Sequence, residues 1–425
     1  MINIIIVKSV MLQKYKMRLK QSKDGKTVLA NFGYLSLIQI AGYVFPLITM
    51  PYLARVIGSE GFGKIAFAAA IMSWIQTVAD WGFNLTATRD VAQHRDDKET
   101  VSKIFSNVLY ARIILTSFSA VVLLLATILI PICKENSLII WLTFLMIPGH
   151  IFFPDWFFQA VERMKYTTIF NLLMKIIFTL AVFVFIRDKE DYFFQPLFTS
   201  IGYVICGLSA LYLILLKWRY KLVKPDIHDI YYTIKNSTDV FINSMMPNLY
   251  NSFSIMLLGQ FGGPSATGIF DGGNKFISIF FQFQTVLSRA FFPLLSRRSD
   301  KISLFAKINM LSGCTLSFLL VLLAPFIIKV MLGSEFEDSA VVLRILAISF
   351  IFMALSNTYG QNFLIITHKE KDLRNITMIS SIIGMVIAFP MVYFFSYVGA
   401  ALTVLTSRVL IGTLSYIRAR HYMNK

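Results

Sequence analysis

Charged residues are scarce in this sequence: they make up 15% of its 425 residues, against 56% hydrophobic residues and a mean hydropathy of +0.66. A soluble globular domain carries about 25% charged residues, so the composition excludes that class. Acids are the rarer sign, 23 against 40 basic residues, which gives a formal net charge of +17. Because the basic residues lie in short loops between apolar runs, the sequence predicts a polytopic membrane protein with no nucleic-acid partner.

Cysteine is almost absent as well. Cys133, Cys206 and Cys314 stand singly in apolar surroundings without metal-ligand spacing, and we interpret them as small core hydrophobes. The sequence lacks a phosphate-binding glycine loop and any clustered His/Cys group. Asp96 and Asp97 belong to a short charged run that is typical of a solvated loop rather than of a metal or nucleotide-sugar site. These absences predict a protein that is not an enzyme and that needs no cofactor or metal.

Long hydrophobic runs are abundant. A run of about 20 residues crosses about 30 Å of hydrocarbon as a helix, and we count about twelve such spans. They lie near 29–54, 63–86, 104–131, 137–160, 166–187, 192–216, 238–261, 267–292, 305–332, 339–366, 375–395 and 398–418. The predicted division is a basic cytoplasmic tail at 1–28, a six-helix bundle at 29–216, a linker at 217–236 and a second six-helix bundle at 237–425.

The distribution of Lys and Arg predicts the orientation. By our assignment roughly 28 of them lie on the tail, the even-numbered exits and the C-terminus, about 6 on the opposite face and about 6 inside spans. Loops that are poor in base are the translocated ones, and Arg187–Asp191 and Glu335–Asp338 are of that kind. We therefore expect both termini in the cytoplasm.

A glycine pattern recurs in the two halves of the chain. Gly58 to Gly63 and Gly263 to Gly268 share one spacing, and each follows an apolar segment and precedes a helix. The helices then close in the same way, over Phe83 to Arg89 and Phe292 to Arg298. The pattern predicts two related halves, hence an all-α fold of two pseudo-symmetric bundles around a central cavity.

Charged side chains at membrane depth are the candidate functional residues, since each is costly if it faces lipid. Bases outnumber acids there: Arg112, Lys175, Lys275, Arg289, Arg344 and Arg408 against Asp80, Asp155 and Asp271. An interior with this surplus attracts anions, so the sequence predicts a cationic cavity.

Helical spacing collects polar residues on two faces. In the second span Asp80 shares a narrow stripe with Ser73, Thr77 and Asn84. In the eighth span one line holds Asp271, Lys275, Ser278, Gln282, Thr285 and Arg289. An alternative stays open for the pair Asp271 and Lys275, whose spacing also suits a structural ion pair. Arg344 and Arg408 are in turn explained by snorkelling toward the interface.

The first two spans carry a family resemblance. Pro46 to Arg55, Gly58 to Gly63, Asp80 to Asn84 and the pair Arg89 and Asp90 resemble the Wzx-type O-antigen flippases of the polysaccharide transport family. The layout of the whole chain is similar to the wider multidrug, oligosaccharidyl-lipid and polysaccharide exporter superfamily. The resemblance implies a V-shaped pair of bundles that alternates access and moves undecaprenyl-diphosphate-linked repeat units from the cytoplasmic to the periplasmic leaflet of the inner membrane.

The resemblance also implies partners and site residues. The substrate would be an undecaprenyl-diphosphate-linked oligosaccharide in the lipid bilayer, with the polymerase and the chain-length regulator of the same pathway as candidate partners. The predicted substrate-binding residues are Arg112, Lys175, Lys275, Arg289, Asp271 and Asp80. Two rival functions remain: a cation-coupled multidrug exporter of the same superfamily, and a membrane polysaccharide polymerase, which would need a larger external loop than any found here.

Overall fold

The computed structural model describes residues 23–298 and 301–424, which form helices joined by short turns with no β-strand among them. The first half contains α1 (Lys23–Asp80), α2 (Phe83–Gln93), α3 (Lys98–Leu129), α4 (Pro131–Glu135), α5 (Ser137–Phe144), α6 (Met146–Phe152), α7 (Asp155–Ala160), α8 (Met164–Phe185) and α9 (Phe194–Tyr212). The second half contains α10 (Ile227–Met245), α11 (Ser252–Arg297), α12 (Ile302–Met331), α13 (Ser339–Ala347), α14 (Ser349–Leu355) and α15 (Glu370–Met423). The predicted basic tail lies mostly outside the described residues.

The described chain has the length and apolarity of a membrane protein. Eight helical stretches within it are long and apolar enough to cross a bilayer, and α10 and α11 are not among them. Two of the eight, Gly33–Gln93 and Glu370–Met423, each join two predicted spans, because the helical hydrogen bonding continues beyond the kinks at Gly58 and Ser396. The all-helical membrane fold is thus confirmed, whereas the number of twelve crossings stays a prediction.

Two glycine kinks divide α1 and α11 at equivalent positions of the repeat. Gly58 breaks α1 with φ 66° and ψ −177°, and Gly263 breaks α11 with φ 79° and ψ 178°. Only glycine adopts this conformation without strain, which explains why the sequence has glycine at both positions. The two halves of the chain therefore turn in the same way at the points where the repeat aligns.

Side-chain caps fix the start of two helices that form the end of the molecule opposite to those kinks. The Asp97 carboxylate accepts hydrogen bonds from the backbone amides of Glu99 and Thr100, so α3 begins there. Asp226 does the same for the amide of His228 and starts α10. As a result, the second half of the predicted linker at 217–236 is helical.

Two large hydrophobic clusters hold the bundles together. The first lies within the first half, around Phe105, Phe157 and Phe158. The second lies around the second half but also takes in Ile57 and Phe62 of α1, so it joins the halves. Exposed apolar side chains cover the outside of the helices, as lipid-facing surface requires. The cysteine prediction is confirmed for Cys133 and Cys206, which are buried, and wrong for Cys314, which is exposed on the apolar helix α12.

Candidate functional site

A cavity of about 390 Å³ lies between the two halves, and we call it the lysine cavity. Two basic side chains line it, Lys175 from α8 and Lys275 from α11. Its other walls come largely from α1, and they are mostly apolar: Phe45, Pro46, Met50, Leu53 and Phe62, with Phe178 of α8. No carboxylate is among the lining residues, so the cavity combines positive charge with a low-dielectric wall.

Lys275 is held by two contacts. Its Nζ lies 2.7 Å from Oδ2 of Asp271, one turn earlier on α11, and 3.8 Å from the ring centroid of Phe62 on α1. A cation over an aromatic face is attracted by the ring quadrupole. The ion pair with Asp271 is therefore the intrahelical pair that the spacing allowed, and Lys275 also bridges the two halves.

Lys175 has no such support. Within the part of the chain that the structure describes, its ammonium group makes no hydrogen bond or ion pair, and the side chain is half-buried. A cation without a countercharge at membrane depth is costly. That cost falls when an anion enters the cavity, which makes Lys175 the member of the site with most to gain from a ligand.

A second cavity of about 470 Å³ lies inside the second half, and we call it the arginine cavity after Arg408 of α15. Ser278 of α11 lines both cavities, so the two compartments meet at that residue. Arg408 is not among the predicted site residues, because an arginine inside a span is also explained by snorkelling toward the interface. Its one distinguishing signal is that the surrounding span contains no acid.

Asp80 and Arg112 form a separate cluster in the first half. Nη2 of Arg112 donates to Oδ1 of Asp80 at 2.9 Å and to Oδ1 of Asn84 at 2.7 Å. Nε2 of His150 lies 3.2 Å from the same Asp80 oxygen. Arg112 is only 1% exposed, and its Nε and Nη1 atoms have no partner among the described residues. The cluster lines neither of the two cavities.

One end of the molecule is closed by direct backbone contact between the halves. A Cβ atom at Gly63 would overlap the carbonyl oxygen of Pro264, and one at Gly268 would overlap that of Ser59. The hydroxyls of Ser59 and Ser265 are 2.9 Å apart. The equivalent glycines of the repeat thus pack against each other's preceding turn, and no side chain fits between them.

Charged residues of the loops reinforce this closed end. Glu335 accepts a hydrogen bond from Lys189 at 2.8 Å and another from the backbone amide of Ser59 at 3.1 Å. Arg55 of α1 donates to the carbonyl of Val330 at 2.6 Å. The hydrogen bond from Lys189 is the main reason why the pKa of Glu335 lies below its ordinary value of 4.5. These loops are the ones that the sequence predicts to be external.

At the opposite end α10 leaves its own half and packs against α2, α3 and the end of α1. Trp81 stacks on Phe241 with ring centroids 3.9 Å apart and an interplanar angle of 3°. Thr86 and Ser237 share a hydrogen bond of 2.7 Å, and Lys103 pairs with Asp229 at 2.7 Å. The α10 helix then ends at Met245, just before Pro247, where the chain returns to the second half.

Of the six predicted site residues, three lie at the lysine cavity, two pair with each other in the first half, and the side chain of the sixth is not described. Lys175 and Lys275 share the lysine cavity, with Asp271 beside Lys275. Asp80 and Arg112 pair with each other elsewhere. Arg289 lies on α11, but its side chain is outside what the structure describes. The assignment of all six to substrate binding stays a prediction.

Comparison with known proteins identifies relatives of the chain. A match to the family described as "Polysaccharide biosynthesis protein" covers residues 28–299. A protein of Escherichia coli (strain K12), named provisionally as an O-antigen transporter, is 27% identical over 399 residues, which is 92% of this chain and 96% of that protein. One of Shigella dysenteriae with the same name is 27% identical over 389 residues, 90% and 97% of the two chains. Both names describe transporters, in agreement with the prediction of a protein that is not an enzyme.

Solved structures share the fold. A multidrug resistance MATE family transporter of the MOP superfamily in its inward-facing conformation has a TM-score of 0.69 at 14% identity, over 93% of this chain and 98% of that one. The lipid II flippase MurJ in an inward closed conformation has a TM-score of 0.70 at 12% identity, over 90% and 87%. These likenesses confirm the predicted transporter fold. Since the family match spans more than half of the sequence, the chain belongs to the polysaccharide biosynthesis protein family.

Proposed function

We propose that this protein moves a glycan repeat unit linked to undecaprenyl diphosphate from the cytoplasmic to the periplasmic leaflet by alternating access. The observation that carries the proposal is the convergence of Lys175 and Lys275 in one cavity whose walls come from both halves. A diphosphate brings at least two negative charges. Lys175 offers an ammonium group with no countercharge among the described residues, and Lys275 offers one that it shares with Asp271. Lysine serves widely as a phosphate ligand. The O-antigen transporter names of the relatives agree with this substrate class.

A cavity built from both halves suits a transport cycle. Lys175 and Lys275 lie on different halves, so a rocking motion about the closed end changes their separation and hence the affinity for the diphosphate. A diphosphate moving outward across an inside-negative membrane gains about 2.3 kcal/mol per charge per 100 mV. Part of the cycle can therefore run on the membrane potential, and a coupling ion is not required by the charge balance.

The test uses the full chain in vesicles that contain a fluorescently labelled polyprenyl-diphosphate glycan. Transport is measured as the fraction of label that reaches the other leaflet. Lys175→Gln and Lys275→Gln should each slow it about 10- to 100-fold, since each removes a charge-assisted contact. Lys165→Gln, an exposed lysine on the same helix as Lys175, is the matched control and should leave transport unchanged. Wild-type vesicles that leave the label in place would refute the proposal.

The rival function is export of cationic drugs, which the fold alone would also allow. A cationic drug needs a carboxylate in the cavity, yet the lysine cavity has two ammonium groups and no acid among its lining residues, and the carboxylate of nearby Asp271 is already paired with Lys275. The sign of the charge therefore favours an anionic substrate. The drug sensitivity of cells that lack the protein separates the two functions. Loss of a drug exporter should raise drug sensitivity. Loss of a flippase should leave drug sensitivity unchanged and cause lipid-linked units to accumulate on the cytoplasmic leaflet.

The proposed setting is the bacterial inner membrane with both termini cytoplasmic, as the distribution of Lys and Arg predicts. Alkaline phosphatase fused after Lys425 should be inactive, and the same enzyme inserted at Asp188 should be active. The polymerase and the chain-length regulator of the pathway are the proposed partners, and they would receive the units on the periplasmic face. Activity of the C-terminal fusion would contradict the orientation.

A further inference from the structure

A third cavity, of about 290 Å³, lies at the end of the molecule where α10 packs against the first half, and we call it the amide cavity. Residues of α2 and α3 line one side of it, and residues of α10 line the other. Its uncharged polar lining includes two side-chain amides and several hydroxyls: Asn107, Asn236, Thr86, Ser237 and Tyr232. The amide cavity shares no lining residue with the lysine cavity or the arginine cavity, so it is a separate compartment.

The Lys and Asp side chains of this lining already have partners. Nζ of Lys103 lies 2.7 Å from Oδ2 of Asp229, and Nε of Arg89 donates to Oδ1 of Asp90 at 2.8 Å. A charged ligand would therefore have to displace a group that is already paired. The lysine cavity is different, because Lys175 has no countercharge there among the described residues. The chemistry of the amide cavity thus favours an uncharged ligand.

The uncharged groups are the ones left free to bind. The side-chain amides of Asn107 on α3 and Asn236 on α10 make no hydrogen bond within the part of the chain that the structure describes. The hydroxyls of Thr86 and Ser237 are 2.7 Å apart, and each oxygen keeps acceptor capacity. Tyr232 adds an aromatic face beside its phenolic hydroxyl. Amides and hydroxyls both donate and accept hydrogen bonds, as the hydroxyls of a sugar require.

Water reaches this side of α10. The helix is not among the described stretches that are apolar enough to cross a bilayer. Tyr232, Asn236, Asp239 and Asn243 recur on it at helical spacing, and all four are exposed. Amides and a carboxylate are costly against lipid, so this face adjoins water or a polar ligand. A hydrophilic glycan can therefore approach the amide cavity.

We infer that the amide cavity binds an uncharged sugar of the glycan and that this sugar bridges α10 and the first half. Asn107 and Asn236 bind sugar hydroxyls from opposite halves, and the ring packs on Tyr232. The inference rests on the proposed function, in which the lysine cavity holds the diphosphate. Counted from the equivalent kinks at Gly58 and Gly263, Thr86 lies about 16 residues further along its helix than Lys275, or about 24 Å at 1.5 Å per residue. The sugar is therefore one that lies several units away from the diphosphate.

The direct test is binding of soluble sugars to the purified full chain, which does not depend on transport. The probes are neutral tetrasaccharides of glucose, of galactose and of N-acetylglucosamine, and wild type should bind at least one of them. Asn107→Leu and Asn236→Leu should each weaken that binding about 10-fold, because each removes hydrogen bonds to the sugar. Asn375→Leu, the same change at an exposed amide on α15 outside the cavity, is the matched control and should bind as wild type does.

The two asparagines come from different halves, so each variant tests the site independently. Neither substitution breaks a hydrogen bond within the described residues, and the melting temperature in detergent checks that each variant is folded. If one variant fails to fold, the other still decides the question. The inference is overturned if wild type binds none of the three sugars, or if a folded Asn107→Leu or Asn236→Leu protein binds as tightly as wild type.

Transport of two labelled polyprenyl-diphosphate lipids separates this inference from the proposed function. One lipid carries the tetrasaccharide that binds, and the other carries a single sugar, which is too short to reach the amide cavity from the lysine cavity. Lys175→Gln should slow both, whereas Asn236→Leu should slow only the longer one, by about 10-fold. Equal slowing of both by Asn236→Leu would contradict the sugar site and leave the flippase proposal standing. If wild type moves neither lipid but binds the soluble sugar through Asn107 and Asn236, the proposed function fails and the sugar site stands.

Discussion

Arg112 shows how a residue can carry the signature of a ligand contact and yet have its partner inside the protein. From the sequence it is a cation with no acid one turn away on its own helix. In the fold it meets Asp80, which ends α1, and the two are 2.9 Å apart. Spacing within one helix cannot reveal a pair that forms between helices. The geometry therefore favours a structural role for the pair.

We expect Arg112→Gln to lower stability. It leaves the Asp80 carboxylate in the protein interior without its cation, and loss of one partner of a buried pair costs about 3–5 kcal/mol. Removing both charges, in Asp80→Asn with Arg112→Gln, should restore most of the loss because no uncompensated charge remains. The measurement is the melting temperature of the purified protein in detergent. A stable Arg112→Gln protein without transport would instead assign Arg112 to the substrate.

Lys175 and Lys275 were predicted on the sequence because lysine is rare inside apolar spans. The sequence predicted them for one cationic cavity together with Arg112 and Arg289, but which of the four meet could not be predicted, since it depends on how α8 and α11 cross. Arg408 was missed for the same reason, because only the packing of α15 against α11 turns it toward a polar cavity rather than the interface. Sequence thus identified which side chains are costly in a membrane, and the fold decides which of them meet.

At the scale of the helix, the polar line along α11 is the element that the sequence predicted best. Its members Asp271, Lys275 and Ser278 lie beside the cavities, as their spacing on one face predicts. The kinks at Gly58 and Gly263 also follow from the sequence, since both are in the repeat. The packing of α10 on the opposite half could not be predicted, because its capped start lies in a segment interpreted as a linker.

We expect cysteines at Ser278, Gln282 and Thr285 to react with a water-soluble maleimide, because these positions follow the face of α11 that lines the cavities. Phe276 and Ile277 are 3% and 0% exposed, and cysteines there should be protected. The measurement is labelling in intact membranes, with exposed Cys314 replaced by serine. Equal labelling of all five positions would contradict a water-filled track along one face.

The whole molecule is closed at one end, and a disulfide can hold it there. Ser59 and Ser265 come from different halves and their Oγ atoms are 2.9 Å apart, so Ser59→Cys with Ser265→Cys should cross-link under mild oxidation. If this end must open to release substrate, the cross-link should stop transport and a reductant should restore it. Each single cysteine variant is a control and should transport under both conditions. Full transport by the cross-linked protein would exclude opening at this end.

Acid should weaken the same closure. The pKa of Glu335 is lowered in the folded protein, chiefly by the hydrogen bond from Lys189. The contribution of ionised Glu335 to the stability of the closed end is therefore fully present above the ordinary pKa of 4.5, and it is lost as the pH falls through the lowered pKa. The Ser59→Cys and Ser265→Cys pair, treated with a pH-independent oxidant, should therefore cross-link less and less completely as the pH is lowered further below 4.5. Glu335→Gln should remove this pH dependence, and a dependence that persists in the variant would assign it to another group.

The contact between Gly63 and Gly268 has a mechanical consequence. Where side chains interdigitate, two surfaces can separate only after side-chain rotamers rearrange, and each rearrangement adds to the barrier to separation. Here two bare backbones touch, and hydrocarbon side chains contribute nothing between them. At this contact the two backbones can therefore separate and return to the same register without any change of side-chain rotamers. Opening then has to break the polar links around the rim and the hydrophobic contacts that Ile57 and Phe62 make with the second half.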